Sequence, residues 1–291
     1  MLILPAPAKI NLFLHITAVY DNGMHELDTA FAYSQACDQL HIEASDQLQI
    51  TCSQPHLGGE KNLVYHVLQA LREKHHIKAG LRIHIDKHIP EQAGLGGGSS
   101  DAATAIMAAN QLWGIDASID ELIDFATPFG ADIPCFLYRK ASLASGIGAS
   151  LVDYPHALPT QTLLLARPES GLSTAEVFNH FDSTLTTPDR LATMRRDSPS
   201  IGENDLEASA CKLNPDVAQL LIFLRQQTET AWMSGSGSTC VALFDSHQQA
   251  NKVSDALQHR HLASWTHVGN ICDIHPMQRN TISLSSDKLK E

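Results

Sequence analysis

The run Pro90, Glu91, Gln92, Ala93, Gly94, Leu95, Gly96, Gly97, Gly98, Ser99 and Ser100 has the residue types of an anion cradle. Glycine permits the left-handed backbone and close approach that let main-chain N–H groups converge on phosphate oxygens. A serine at 99 or 100 is expected to cap a helix beginning near Asp101, whose positive dipole end then faces the same anion. The plain alternative is a flexible turn. Three known phosphate loops can be tested against the run. A Walker A loop needs a lysine before Ser99 or Ser100, and none is there. The dinucleotide fingerprint needs a third glycine where Ser99 stands. A protein kinase would also carry HRD and DFG, and the chain has neither.

Such a loop must sit between a strand and a helix. Leu81, Ile83 and Ile85 alternate as in a strand ending near Pro90, so the loop follows a strand and opens a helix. Upstream, Ile10 to Ile16 reads as a strand, and Leu40 with Ile42 and Leu48 with Ile50 and Cys52 read as a hairpin around a polar turn at Ala44 to Gln47. Leu63, Val64, Val67, Leu68 and Leu71 recur at helical spacing after Asn62, and Ser118 with Glu121 forms a capping box for a helix ending around Pro128. The proline-containing passage Asp153 to Gln161 is the expected domain boundary. Beyond it come a strand at Thr162 to Ala166, a helix at Thr174 to Phe181, an amphipathic helix from Pro215 to Thr228, and glycines at Gly235 to Gly237. A strand at Cys240 to Phe244, a helix within Gln248 to Arg260 and a last strand near Val268 to Ile274 complete an α+β pattern. A polar tail from Gln278 to Glu291 is expected to fray.

Composition narrows the function. A net charge of -12 argues against nucleic-acid binding, so any phosphate site must be local. The six cysteines form no CxxC pair and the sixteen histidines no HExxH, so protein side chains are not expected to hold a metal. No apolar run reaches membrane-spanning length and no basic segment leads into an apolar core, which makes a cytoplasmic protein without membrane contact, monomeric or weakly homodimeric, the expectation.

The sequence PxxxGLGGGSSDAA resembles the phosphate motif of the GHMP small-molecule kinases; Pro5 to Leu14, PAPAKINLFL, and Met233 to Cys240, MSGSGSTC, resemble that family's other two motifs. With the stretch from Asp21 to Leu27 and GADIPCF at Gly130 to Phe136, the likeness runs from Leu4 to about His275 and points to the branch that phosphorylates the 2-hydroxyl of a cytidine-diphosphate sugar alcohol in isoprenoid precursor synthesis. It implies two units. Residues 1–156 would form an α/β domain of ribosomal-protein type with a left-handed βαβ crossover and the ATP loop; residues 157–277 would form a ferredoxin-like domain. It also implies ATP with Mg²⁺, Asp132 as general base, and Lys9 as the cation that orients and balances charge. Taken singly, Asp132 reads as a turn aspartate and Lys9 as a solvated lysine. Asn11, His25, Thr174 and Phe178 match substrate-contacting positions, although Phe178 also reads as a core aromatic; Asn62 matches a position beside adenine and equally reads as a helix N-cap. Lys87 and His88 precede the loop, where they would help hold ATP or would simply be solvated strand-end charges, the commoner case. Met24 stands where the family usually has an aromatic, which implies looser cytosine stacking. Another kinase of the family, acting on homoserine or a mevalonate derivative, and a nucleotide-binding regulator without turnover are the alternatives.

Overall fold

Alternation along the first strand explains the architecture. In β1 (Leu2–Val19), Ala8, Ile10 and Leu12 point into one core, while Lys9 and Asn11 emerge from the opposite face. The computed structural model describes residues 1–20, 23–146, 148, 150–184 and 200–279. Asp21, Asn22 and the expected tail beyond 279 lie outside the described residues. β1 pairs antiparallel with β2 (His25–Ser45), and the register shifts between Pro7 and Lys9 and again between Asn11 and Phe13. Irregularities of this kind re-aim side chains locally. Here they bracket Lys9 and Asn11.

Among the described residues, the first sheet has seven strands, with β3 (Gln49–Cys52), β4 (Gly80–Asp86), β2, β5 (Ser142–Gly146) and β6 (Ser150–Asp153) in that order and β1 beside β2. The expected hairpin does not form. β4 inserts between β2 and β3, and β3 runs parallel to β4 with α1 (Leu63–Lys74) as the crossover. Period-two patterning identifies strands but not their partners, and here the apolar stripe of α1 is buried by making it a crossover. Asn62 caps α1, its side chain accepting from the Val64 N–H at 2.8 Å.

Helix α2 (Gly97–Leu112) begins earlier than expected, with Gly96 as a left-handed N-cap at φ 68°. Ser99 and Ser100 therefore lie in its first turn and do not cap it. The small residues Ala102, Ala103, Ala105, Ala108 and Ala109 are fully buried, which lets α2 pack closely against β1, β2 and the neighbouring helices. α3 (Ile119–Ala126) carries the expected Ser118–Glu121 capping box, and α4 (Ile133–Tyr138) follows after a short turn.

The Asp153 to Gln161 passage connects β6 to β7 (Thr162–Arg167), the first strand of a second, four-stranded sheet ordered β10 (Trp265–Gly269), β7, β9 (Cys240–Phe244), β8 (Ala231–Met233). Helices α5 (Thr174–Thr184), α6 (Glu207–Leu213), α7 (Pro215–Arg225) and α8 (His247–His259) accompany it. Leu164 and Ala166 face the core under these helices, whereas Leu163 and Leu165 face Ile10, Leu12 and Trp232 in a core between the two sheets. The last expected strand is two strands. After β10 the chain leaves the second sheet, and β11 (Ile271–Cys272) returns to β2 of the first.

Candidate active site

Two glycine-rich segments and the first motif meet beside one cleft. The Lys9 N–H donates to the Leu95 carbonyl at 3.0 Å, and the Thr239 N–H donates to the Ala93 carbonyl at 3.1 Å. The first motif and the third thus hold the glycine loop from two sides. Gly94, at φ +71°, lies so close to the third motif that a Cβ there would stand 2.6 Å from the Ser234 carbonyl oxygen. Only glycine fits this approach. Asn11 joins the same junction, its N–H donating to Ser234 Oγ at 3.0 Å while the Trp232 indole donates to its carbonyl at 2.8 Å.

A cleft of about 470 Å³ opens beside this junction, lined by the loop from Pro90 to Ser99 together with Asn62, Lys87, Asp101, Asp132 and Thr174. Ser100 is fully buried beneath it, so Ser99 is the loop hydroxyl that faces the cleft. Asn62 serves as helix cap and cleft wall together, donating through Nδ2 to the Leu57 carbonyl at 2.6 Å. A larger hollow of about 630 Å³, lined among others by Lys140, Tyr154, His156 and Asn270, lies apart from the glycine motifs.

Lys9 is 4% exposed, contrary to its reading as a surface lysine. Its ammonium donates to Asn11 Oδ1 at 2.8 Å, stands 5.3 Å from the centre of the Phe31 ring, and lies 3.9 Å from Asp132 Oδ2. Asp132 precedes α4, and its side chain makes no capping hydrogen bond. Its carboxylate is 39% exposed and faces the cleft. Asn11 is 2% exposed, with its oxygen taken by Lys9 and its amide by Thr29 Oγ1, so it orients the lysine. Thr29 in turn donates to the Phe13 carbonyl.

The residues expected to contact substrate lie in two groups of contacts. Thr174 Oγ1 and Ser236 Oγ share a 2.8 Å hydrogen bond. The His25 ring lies 4.5 Å from that of Phe178 at 42° and 6.5 Å from Phe181. His25 Nε2–H donates to Asp182 at 2.7 Å. Phe178 is partly buried against the helical core as well, in keeping with its core reading. His25 and Phe178 are not among the residues lining the 470 Å³ cleft; of these residues only Thr174 reaches it.

Sequence reading passed over several residues. Asn204 donates to the carbonyls of Met233 and Gly235, at 2.7 and 2.8 Å, and so anchors the third glycine motif. Lys87, taken as solvated, is 6% exposed and held between Asp38 and Asp101. Asp182 gives no sequence signal beyond helical spacing from Phe178. His88 matches its reading, an exposed ring paired with Asp86 at 3.3 Å.

The chain matches the models for the GHMP kinases N terminal domain at residues 62–140 and the GHMP kinases C terminal domain at residues 188–263. It is 38% identical over 256 residues to a 4-diphosphocytidyl-2-C-methyl-D-erythritol kinase of Ralstonia nicotianae, covering 86% of this chain and 88% of that protein. It is 34% identical over 289 residues to one of Alcanivorax borkumensis, covering 96% and 93%. A crystal structure of 4-(cytidine 5'-diphospho)-2C-methyl-D-erythritol kinase superposes with a TM-score of 0.76 at 30% identity, covering 93% of this chain and 99% of that one. A homoserine kinase from Cytophaga hutchinsonii shares the fold, with a TM-score of 0.68 at 18% identity.

Proposed function

Because the chain belongs to the GHMP kinases, and within them to the 4-diphosphocytidyl-2-C-methyl-D-erythritol kinases, we propose that it transfers the γ-phosphoryl group of ATP to the 2-hydroxyl of 4-diphosphocytidyl-2-C-methyl-D-erythritol and releases ADP. The observation that carries the reading is the pairing of Lys9 with Asp132 at 3.9 Å on the cleft walled by the glycine loop. A loop of main-chain donors holds the triphosphate, and the acceptor oxygen attacks the γ-phosphorus in line as the bond to the β-phosphate oxygen breaks. Asp132 accepts the hydroxyl proton as the new O–P bond forms. Lys9, fixed by Asn11 and Phe31, offsets the charge that builds on the acceptor.

His25, Phe178 and Thr174 form the wall proposed for the cytidine end of the acceptor, with Asn11 acting through Lys9. Asn62 and the loop face the nucleotide. On this reading residues 1–156 supply the loop, the base and the cation, and residues 157–277 close the cleft with the third glycine motif. Among the described residues no group of three or more His, Cys, Asp and Glu side chains is gathered for a metal. An ion arriving on the triphosphate oxygens would offset their charge there.

Purified protein assayed with ATP against a panel of alcohols is expected to turn over only with the cytidine-diphosphate sugar alcohol. Equal turnover of homoserine or mevalonate would overturn the substrate assignment, and ATP binding without any transfer would replace it with a regulatory role.

A further inference from the structure

The cleft floor holds a buried charge cluster that the proposed transfer does not use. Lys87 Nζ lies 2.5 Å from Asp38 Oδ2 and 2.8 Å from Asp101 Oδ2, and all three side chains are at most 6% exposed. Asp38 comes from β2, Lys87 follows β4, and Asp101 stands one turn into α2. A Cβ added to Gly97 would lie 3.2 Å from Lys87 Nζ, so the ammonium touches the backbone where the glycine loop becomes helix.

Two carboxylates and one ammonium leave a net negative charge beneath a loop that has to attract a triphosphate. That charge is unfavourable twice, through desolvation of a carboxylate that is incompletely paired and through repulsion of the incoming anion. The hydrogen bonds decide which carboxyl gives way. Asp38 Oδ1 accepts from the His88 and Ile89 N–H groups at 2.6 and 2.8 Å while its Oδ2 takes Lys87, so both of its oxygens are engaged as acceptors. Asp101 Oδ1 is buried without any hydrogen-bond partner. Two carboxyls sharing one cation in unequal surroundings separate into a charged and a neutral member.

We propose that Asp101 carries a proton in the nucleotide-binding form, leaving Lys87 to neutralise Asp38, so that the floor beneath the phosphate loop is electroneutral and ATP affinity depends on that proton. Asp101 is then a positioning residue that acts on the nucleotide through Lys87 and the start of α2. The inference rests on the reading of the loop as the ATP site. Burial pushes the Asp101 carboxyl up to about 8, with Lys87 opposing and Asp38 reinforcing. The groups facing the cluster are Asp38 from β2, Lys87 after β4 and the Cys52 thiol from β3, itself raised by burial. Of these only Lys87 is cationic.

Ionisation of Asp101 should weaken ATP without touching the acceptor. Between about pH 7 and about pH 9.5 the KM for ATP is expected to rise about tenfold while the KM for the acceptor alcohol stays flat. Asp101→Asn, neutral at every pH, should hold the KM for ATP level across the same range. A flat wild-type profile, or an Asn variant that rises in parallel with wild type, would overturn the proposal. A measurement on the unaltered protein guards against a variant that fails to fold. Calorimetric titration with Mg-ATP, without acceptor, at about pH 8.5 in two buffers of different ionisation enthalpy should show uptake of about half a proton per nucleotide. Binding with no proton uptake overturns the proposal alone, whereas no binding at all overturns the ATP-site reading with it.

Discussion

In the proposed reaction the Asp132 carboxylate, 3.9 Å from the Lys9 ammonium, takes the acceptor proton. Asp132→Asn preserves shape and removes the base. Its kcat is expected to fall by about two to four decades. Folding should survive, because the side chain is partly exposed and caps nothing; thermal melting beside steady-state kinetics checks both, and near-full turnover would remove Asp132 from the mechanism. Met24 is a second test case. It is 45% exposed and sits next to His25, where on the proposed reading a flat ring would stack on cytosine more rigidly than methionine. Met24→Tyr is expected to lower the KM for the cytidine substrate about threefold or more, a stacking gain of ordinary size, with the KM for ATP unchanged. An unchanged KM for that substrate would show that Met24 costs nothing in stacking. Motif matching placed Lys9 and Asp132 together on paper, yet no local signal predicted the burial of Lys9. Its partners Asn11, Phe31 and Asp132 arrive from two, twenty-two and 123 positions away, and a lone lysine read in sequence defaults to solvent.

The strands and helices that carry these groups were largely legible, because each has its own period or cap. Asn62 and Ser118 cap the helices their sequence patterns mark, and β7, β9 and α8 lie where alternation and helical spacing put them. Pairing was not legible. Nothing between Leu40 and Cys52 reveals that a strand some thirty residues later will slip between the two runs, since the choice is made by burial of α1. The helix start was misplaced for a related reason. Serines near a helix start suggest a cap, but Gly96 in left-handed conformation turns the chain sooner and brings the main-chain N–H groups of 97 to 99 to the cleft. What holds the facing glycine motif is Asn204, from a segment with no motif of its own. Asn204→Ala would leave the carbonyls of Met233 and Gly235 without that donor, at a cost of about 1–3 kcal/mol. The expected result is a lower Tm and a raised KM for ATP, because the loosened motif backs Gly94 of the phosphate loop. A variant with a lowered Tm and unchanged nucleotide affinity would show that the third motif supports the fold without shaping the loop.

Two sheets share one inner core, and the chain closes the assembly by returning from β10 to β2 through β11. His275 secures that return. It is fully buried against the Tyr33 ring at 5.4 Å, its N–H donates to the Arg139 carbonyl at 3.0 Å, and its Nδ1 accepts from the Met277 N–H at 3.1 Å. An accepting Nδ1 requires a neutral ring, and burial, reinforced by the Arg139 charge, pushes the imidazole down to about 3. The unfolded chain takes up this proton near pH 6.5, and the folded protein does so only in strong acid. Because the folded value is depressed, the stabilisation is fully present above about pH 6.5 and is lost progressively as pH falls from there towards about 3. Protonation would also break the Met277 bond, so the segment from 270 to 277 should be the first part of the chain to leave the first sheet in acid. Amide exchange in β11 is expected to accelerate at about pH 4.5 relative to about pH 7, while exchange in β7 and β9 responds less. His275→Gln, whose carbonyl can still accept from Met277 but which carries no titrating proton, should lower the Tm at neutral pH through imperfect packing yet flatten its decline towards acid. If the glutamine variant lost stability with falling pH as steeply as the wild type, the acid sensitivity of the return strand would have to lie in other groups.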